Sequence, residues 1–314
     1  MSSHCLDPRR LSRRIDARAR RLALASLAAA ALLCSAAPAL AGGIGMSWLS
    51  YASGAGAVGD SDDPASHVLR VCADPDNLPY SRRDGSGFEN RIASLVAQAL
   101  HARLEYVWTP PARGFVRKTL GANVCDVLIG VPSGFASLLT TRPYYRSSYV
   151  FVDRAGDGVA PLRRFDDERI AQLRIGVPLV GSELMAATPG YALARAGAID
   201  NVVGYPLYGD GPPAERMLDA LARGGIDAAL LWGPQAGYFA ERSAVPLQVE
   251  RAEPPPGLES AFEFSIAMGV ARGHELLRAA LDKVLDAHRD EVDAILRHYA
   301  VLRSDQQAEV VGKR

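Results

Sequence analysis

The sequence predicts an α/β protein of two lobes, each a mainly parallel sheet flanked by helices, joined by two crossing strands. Three observations carry this. Short apolar runs of strand character alternate with segments whose apolar residues recur at helical spacing, which is the pattern of parallel pairing. The plan occurs twice. Leu69-Arg70-Val71 leads through a helix to Asp126 and an apolar run, and Leu173-Arg174-Ile175-Gly176-Val177 leads through a helix to Asp227 and another, at nearly the same separation. Two extended stretches, Ser147 to Val152 and Pro254 to Ser265, lie where the chain can cross between the halves and return. A length of 314 residues suits two such lobes.

Composition narrows the function. Hydrophobic residues make up 48% and charged residues 22%, which excludes global disorder. The 35 basic residues equal the 35 acidic ones, so no basic excess supports a nucleic-acid partner. The balance conceals an asymmetry. Residues 1–41 hold seven Arg and two Asp, leaving the remainder mildly acidic.

That basic head reads as an export signal. The arginines precede an apolar run, Leu22 to Leu33, too short for a transmembrane helix, and Ala39-Leu40-Ala41 supplies a cleavage site. Asp16 stands against twin-arginine export at Ser12-Arg13-Arg14, and Leu33 against a lipoprotein reading of Cys34. Residues 1–41 are therefore expected to be a signal peptide, with the mature chain in the periplasm and without a membrane anchor. Residues 42–67, rich in Gly, Ala and Ser, read as a flexible lead-in.

The ordered elements follow in turn. Val68 to Ala73 is a β run ended by Asp74-Pro75-Asp76-Asn77. Residues 88–100 form a helix, with Phe88, Ile92, Leu95, Val96 and Ala99 on one face. Leu104 to Trp108 alternates as a strand, Gly114 to Leu120 is a short helix, and Asp126 to Val131 is a buried strand. In the second half Ala214 to Arg223 is a helix closed by Gly224-Gly225, and Asp227 to Pro234 echoes Asp126 to Pro132. Leu276 to Leu285 marks a long helix, with a further turn or helix at Ile295, Leu296 and Tyr299. The expected division is 68–150 with 260–302 as lobe 1, 151–259 as lobe 2, and 303–314 as a tail.

Cys5 and Cys34 leave with the signal, so Cys72 and Cys125 remain for an oxidising compartment. A disulfide between them is expected, the alternative being two buried thiols. Cys72 lies in the first strand, and Cys125 begins the strand that should run beside it, within disulfide reach.

The order of elements resembles the periplasmic solute-binding proteins of the two-lobed amino-acid-receptor type, a type II-like fold. Its marks are Leu69 to Asp74, Pro79-Tyr80, Gly87-Phe88-Glu89 and Pro143-Tyr144-Tyr145. Such receptors grip the α-carboxylate with an Arg and the α-ammonium with an Asp. Here Ser133 to Ser137 contain no base, and Trp232 occupies the acid's place. A zwitterion would be desolvated there without partners.

A narrower set of motifs is similar to the quinoprotein-dehydrogenase-associated, binding-protein-like family, the J-type accessory proteins of bacterial methanol oxidation. These are Cys72 to Ser81, Gly87 to Ile92, Arg113-Gly114-Phe115-Val116-Arg117, Cys125-Asp126-Val127 and Thr140 to Ser147. The resemblance implies a periplasmic helper of a pyrroloquinoline-quinone (PQQ) dependent methanol dehydrogenase, the lanthanide-dependent kind included, with the dehydrogenase's cytochrome c as a further candidate partner.

The candidate cleft residues are Asp74, Asn77 and Tyr80 after the first strand, Phe88, Arg113, Phe115, Arg117, Arg142, Tyr144, Tyr145, Ser182 and Trp232. Each also has a plainer structural reading. Asp-Pro-Asp-Asn is turn chemistry. Arg113 and Arg117 fit a solvated helical face, and Gly181-Ser182 a helix cap. One of Tyr144 and Tyr145 reads as core and the other as cleft, while Trp232 could be ordinary core. No GxSxG, Walker loop, GxGxxG or nucleophile–base pair is present, so no enzyme, cofactor or metal is expected. The expected function is docking of the dehydrogenase through an apolar interlobe cleft. The alternative is a solute receptor of an ABC importer. Direct PQQ carriage would require Arg113, Arg117, Arg142 and Arg146 to converge in the cleft.

Overall fold

In the computed structural model residues 67–110, 114–156, 160–180, 185–186, 188–206, 211–304 and 309–311 are described. They fall within the unit Ser47–Arg314. The expected export signal, the expected lead-in before His67, Arg113, Ser182 and most of the expected tail lie outside the described residues.

Strand β1 (Val68–Ala73) buries Leu69, Val71 and Cys72. A small hairpin, β2 (Asp76–Asn77) and β3 (Ser81–Arg82), reverses the chain through a cis Leu78–Pro79 peptide. Helix α1 (Phe88–Ala99) opens where the Asn90 side chain accepts the Gly87 N–H at 3.1 Å. Gly87 must lack a side chain, because a Cβ there would lie 2.1 Å from the Tyr80 carbonyl oxygen. The stripe Phe88, Ile92, Val96 of α1 is buried on the sheet. Strand β4 (Arg103–Trp108) runs parallel to β1 on one side. After α2 (Phe115–Lys118), β5 (Val127–Pro132) runs parallel to β1 on the other. A short β6 (Leu139–Thr140) then leads to the ten-residue β7 (Tyr145–Arg154).

The second sheet starts with β8 (Ile175–Val180) and β9 (Met185–Ala186), followed by α3 (Thr188–Arg195) and β10 (Val202–Pro206). Helix α4 (Pro213–Ala222) buries Met217, Leu218 and Leu221. Strand β11 (Ala228–Trp232), α5 (Gly233–Ala240) and β12 (Leu247–Arg251) complete that half. The chain returns to the first sheet as β13 (Glu263–Val270), covered by α6 (Glu275–Ala287) and α7 (Arg289–His298). Residues Glu309–Val311 add β14 beside β12.

The strand order is β10-β8-β11-β7-β13-β5-β1-β4, so β7 belongs to both lobes. Its first half, Tyr145 to Ser148, pairs with β13, and the remainder pairs with β11 on one edge and β12 on the other. The return connection differs from the sequence expectation. Residues 252–262 are an irregular span with one bridge, Glu253 to Arg164, and a short 3₁₀ turn, and regular pairing resumes only at Glu263. Pro254, Pro255 and Pro256 have no N–H to give a ladder.

The internal repeat is written in matched ion pairs. Within β1, the Arg70 N–H and guanidinium bond Asp126, the nearest pairs being 2.8 Å and 2.6 Å, and the Asp126 N–H returns to the Arg70 carbonyl. Beside β8, Arg174 holds Asp227 in the same way at 2.9 Å and 2.7 Å, with the Asp227 N–H on the Arg174 carbonyl. Each pair ties the start of the lobe's first strand to the start of its third. The expected disulfide is present: Cys72 and Cys125 are bonded, with Cα atoms 5.6 Å apart.

Several elements have no clear signal in the sequence. Helix α5 begins Gly-Pro, which suits a first turn but reads equally as a loop, and carries Gly237 inside it, which disfavours a helix. Gly237 is required by a neighbour: a Cβ would lie 2.0 Å from the Ala300 carbonyl oxygen. Strand β10 is an edge strand bearing Gly204 and Pro206.

Candidate functional site

In α/β sheets the carboxyl ends of the strands are where ligands meet the fold. Here β1 runs out into Asp74 and the small hairpin, and β5 runs out through Gly130 to Pro132. Between them opens a recess of about 330 Å³. Asp74, Asn77, Tyr80 and Glu89 form one wall, and Phe115, Val116 and Phe135 form another. Tyr145, where β7 begins, and Trp232, where β11 ends, close it from the junction of the two sheets.

Trp232 is half-buried and held on its flanks. It lies opposite Tyr149 of β7, with ring centroids 5.2 Å apart, and 5.6 Å from the Phe264 ring. Its side chain sits beside the Tyr145 hydroxyl and partly opposes the upward shift of that group. Tyr145 is only 6% exposed, and burial pushes its hydroxyl well above the usual 10.0.

The acids of the recess sit in an apolar setting. Glu89 is in the first turn of α1, with its carboxyl over the backbone of Gly130. Gly130 has φ +83°, and a Cβ there would stand 1.9 Å from Glu89 Oε1, so this seat exists only because residue 130 has no side chain. Loss of water around Glu89 and then the nearby Asp74 charge raise its carboxyl to about 8. Burial raises Asp74 as well, against a stabilising N–H from Asp76 at 3.1 Å.

A pH signature follows for stability. Glu89 titrates near 4.5 when free and near 8 in the fold, so the folded chain holds an extra proton between those values. Its favourable contribution is complete below 4.5 and is lost as pH rises through about 8. Glu89→Gln, which stays neutral, should melt progressively higher than the parent as pH is raised across this window, and the two should converge in acid. A melting-temperature difference that does not change from pH 4.5 to pH 8.5 would contradict the assignment.

The other sequence-derived candidates are placed elsewhere. Phe88 is fully buried behind the recess, against the rings of Tyr80, Tyr145 and Tyr299 at 5.4, 6.2 and 6.1 Å. It supports the wall and does not line it. Tyr144 packs against the first lobe's core, with its ring 5.2 Å from Tyr145, and is not among the lining residues. Arg117 is exposed and borders a separate groove with Asn123, Arg272 and His274. Arg142 is held by Asp282 and Asp286 on α6, and Arg146 pairs with Glu263 at 2.6 Å. Of the arginines required for PQQ carriage, Arg117, Arg142 and Arg146 therefore do not converge: among the described residues lining the recess none is basic.

Glu89 and Phe135 are lining residues that sequence reasoning did not single out. Glu89 followed the Gly-Phe that opens α1 and read as an ordinary first-turn acid. Phe135 is 41% exposed at the rim, in a stretch notable for having no base. Among the described residues no group of three His, Cys, Asp or Glu side chains could hold a metal, and no helix is long and apolar enough to cross a membrane.

The two lobes sharing β7, with a recess at their junction, define a periplasmic binding protein of the type II-like α/β fold. An ancestral cationic amino acid solute-binding protein shares it at TM-score 0.58 and 17% identity, a likeness of fold alone. No protein-family model matches the chain. Two curated proteins named MoxJ do. The one from Methylorubrum extorquens is 31% identical over 255 residues, spanning 76% of this chain and 82% of its own. The one from Paracoccus denitrificans is 30% identical over 73% of this chain and 86% of its own. The crystal structure of the periplasmic binding protein XoxJ from Methylobacterium extorquens AM1 superposes at TM-score 0.62 with 37% identity, covering 76% of this chain and all of that one. This chain belongs to the MoxJ/XoxJ/MxaJ-type periplasmic binding protein family.

Proposed function

We propose that this protein is a non-catalytic periplasmic accessory protein of a PQQ-dependent methanol dehydrogenase system, and that it docks the dehydrogenase through the interlobe recess to assist maturation or activation. Its lobes on this reading are residues 68–150 with 260–302, and 151–259. The observation that carries the proposal is the recess wall. Rings from Tyr80, Phe115, Phe135, Tyr145 and Trp232 converge there, and the Arg–Asp pair that amino-acid receptors use is replaced by a baseless stretch and an indole. Aromatic anchors in a concave site are what a protein segment needs for most of its binding energy. Family membership supports the setting, since the J-type relatives belong to methanol oxidation.

The test is a pull-down with the mature protein from methylotroph periplasm, followed by binding measurements. Recovery of the dehydrogenase, with or without its cytochrome c, is the expected result. Recovery of an importer's membrane subunits and no dehydrogenase would instead make this a solute receptor. Trp232→Ala should weaken dehydrogenase binding by about 2 kcal/mol. Because the ring is half-buried between Tyr149 and Phe264, the melting temperature should also fall modestly. Unchanged affinity in the folded fraction would remove Trp232 from the docking surface.

A further inference from the structure

Glu89 presents a carboxyl in the recess that nothing there answers. Among the described residues no ion pair or hydrogen bond reaches its carboxyl, and the only other acid lining the recess is Asp74. We infer that the recess binds an organic ammonium group, with Glu89 as its counter-ion and the rings of Tyr80, Phe115, Tyr145 and Trp232 around it. A carboxylate away from water without a partner is unfavourable, and a cation brought beside it removes that cost while forming a charge-assisted bond. Aromatic faces attract ammonium groups, and methylated ones in particular. The seat on Gly130 fixes the carboxyl at the recess wall. A volume of about 330 Å³ accommodates an alkylammonium. A metal ion is the poorer match, because two carboxylates and no third ligating group of that kind are present among the described residues.

The inference deepens the docking reading and rests on it only for where the ammonium comes from. A lysyl side chain on the dehydrogenase and a free alkylamine offer the same chemistry. Binding must also displace a proton. The groups facing Glu89 are Asp74 beyond β1, Tyr80 in the hairpin, Tyr106 on β4, and Tyr144 and Tyr145 at the start of β7. All four tyrosines are raised above the usual 10.0, so only the carboxyls titrate below it.

The experiment is isothermal titration of the full mature protein with butylammonium, with 1-pentanol as the neutral probe of similar size. Butylammonium should bind and pentanol should bind at least about tenfold more weakly, the effect of one charge-assisted bond. Glu89→Gln, which retains the shape, should lower butylammonium affinity by about tenfold or more while keeping the fold. Affinity should fall about tenfold for each pH unit below the Glu89 value of about 8, with up to one proton released per cation bound. Equal binding of the two probes, no detectable butylammonium binding, or identical affinities for the parent and Glu89→Gln would overturn the inference. Immobilised protein separates this from docking. Dehydrogenase displaced by butylammonium identifies a lysyl source. Butylammonium binding with the dehydrogenase retained or never bound identifies a free amine, and in the latter case the docking reading fails while the site stands.

Discussion

Asp126→Ala should lower the unfolding free energy by about 3 kcal/mol, and Asp227→Ala should lower it by distinctly less. The two acids do the same work in the two lobes, which makes the comparison internal. Each accepts the backbone N–H and the guanidinium of the arginine at the start of its lobe's first strand. The surroundings differ. The Asp126 side chain is 5% exposed and that of Asp227 is 26% exposed, and their arginines differ in the same direction. Removing Asp126 strands a guanidinium and an N–H in a drier place, where water repairs less of the loss. Removing Asp227 strands them where solvent can reach. Urea unfolding followed by circular dichroism checks both. Equal losses would show that exposure does not set the cost, and a loss at Asp126 below about 1 kcal/mol would show that the matched pairs are not what secures the strand starts.

The same pair explains why the two-lobed architecture is legible in the sequence. An Arg beside a β run and an Asp opening another, repeated at matching separation, is a physical constraint and leaves a visible pattern. The stripe of α1 and the apolar β5 and β11 are legible for the usual reason: one face or both must be buried. Helix α5 is not, because its composition answers to a neighbour far along the chain. Gly237 weakens the helix locally and is there to let Ala300 approach. The site was legible in part for the same reason. Trp232 and Tyr145 stand at strand ends, and strand ends can be located from periodicity. Phe88, in contrast, lies one residue before Glu89 in the same helix turn, and the geometry of that turn sends the ring into the core while the carboxyl reaches the recess. Sequence spacing places both residues at the helix start and does not state which one points where. Glu89 also depends on a Gly at position 130, and a glycine's meaning there appears only when the carboxyl is seen above it.

Loss of the Cys72–Cys125 disulfide should cost about as much as any single change in the molecule, and it should act on the recess as well as on global stability. The bond spans a sequence separation of 53, and closing a loop of that size in the unfolded chain is worth roughly 4 kcal/mol in the entropic account. For a domain of this size that corresponds to a fall in melting temperature of roughly 10 °C. The local effect follows from what surrounds the sulfurs. Cys72 is itself a lining residue of the recess, and both cysteines belong to a small buried cluster with Leu120, Leu128 and Leu138, against which Phe115 and Val116 pack. This cluster anchors the short helix α2, which buries none of its own four residues completely. The double variant Cys72→Ser, Cys125→Ser should therefore lose the Phe115 wall before it loses the sheet. Hydrogen exchange should rise in residues 115–128 under conditions where β1 and β4 stay protected. Dehydrogenase binding should weaken below the global melting transition. A free-thiol assay on the unfolded, unreduced mature protein gives the prior check, and two reactive sulfurs there would contradict the bond. Uniform exchange across the first lobe, with binding and fold lost together, would show that the disulfide secures the lobe as a whole and gives the recess wall no separate support.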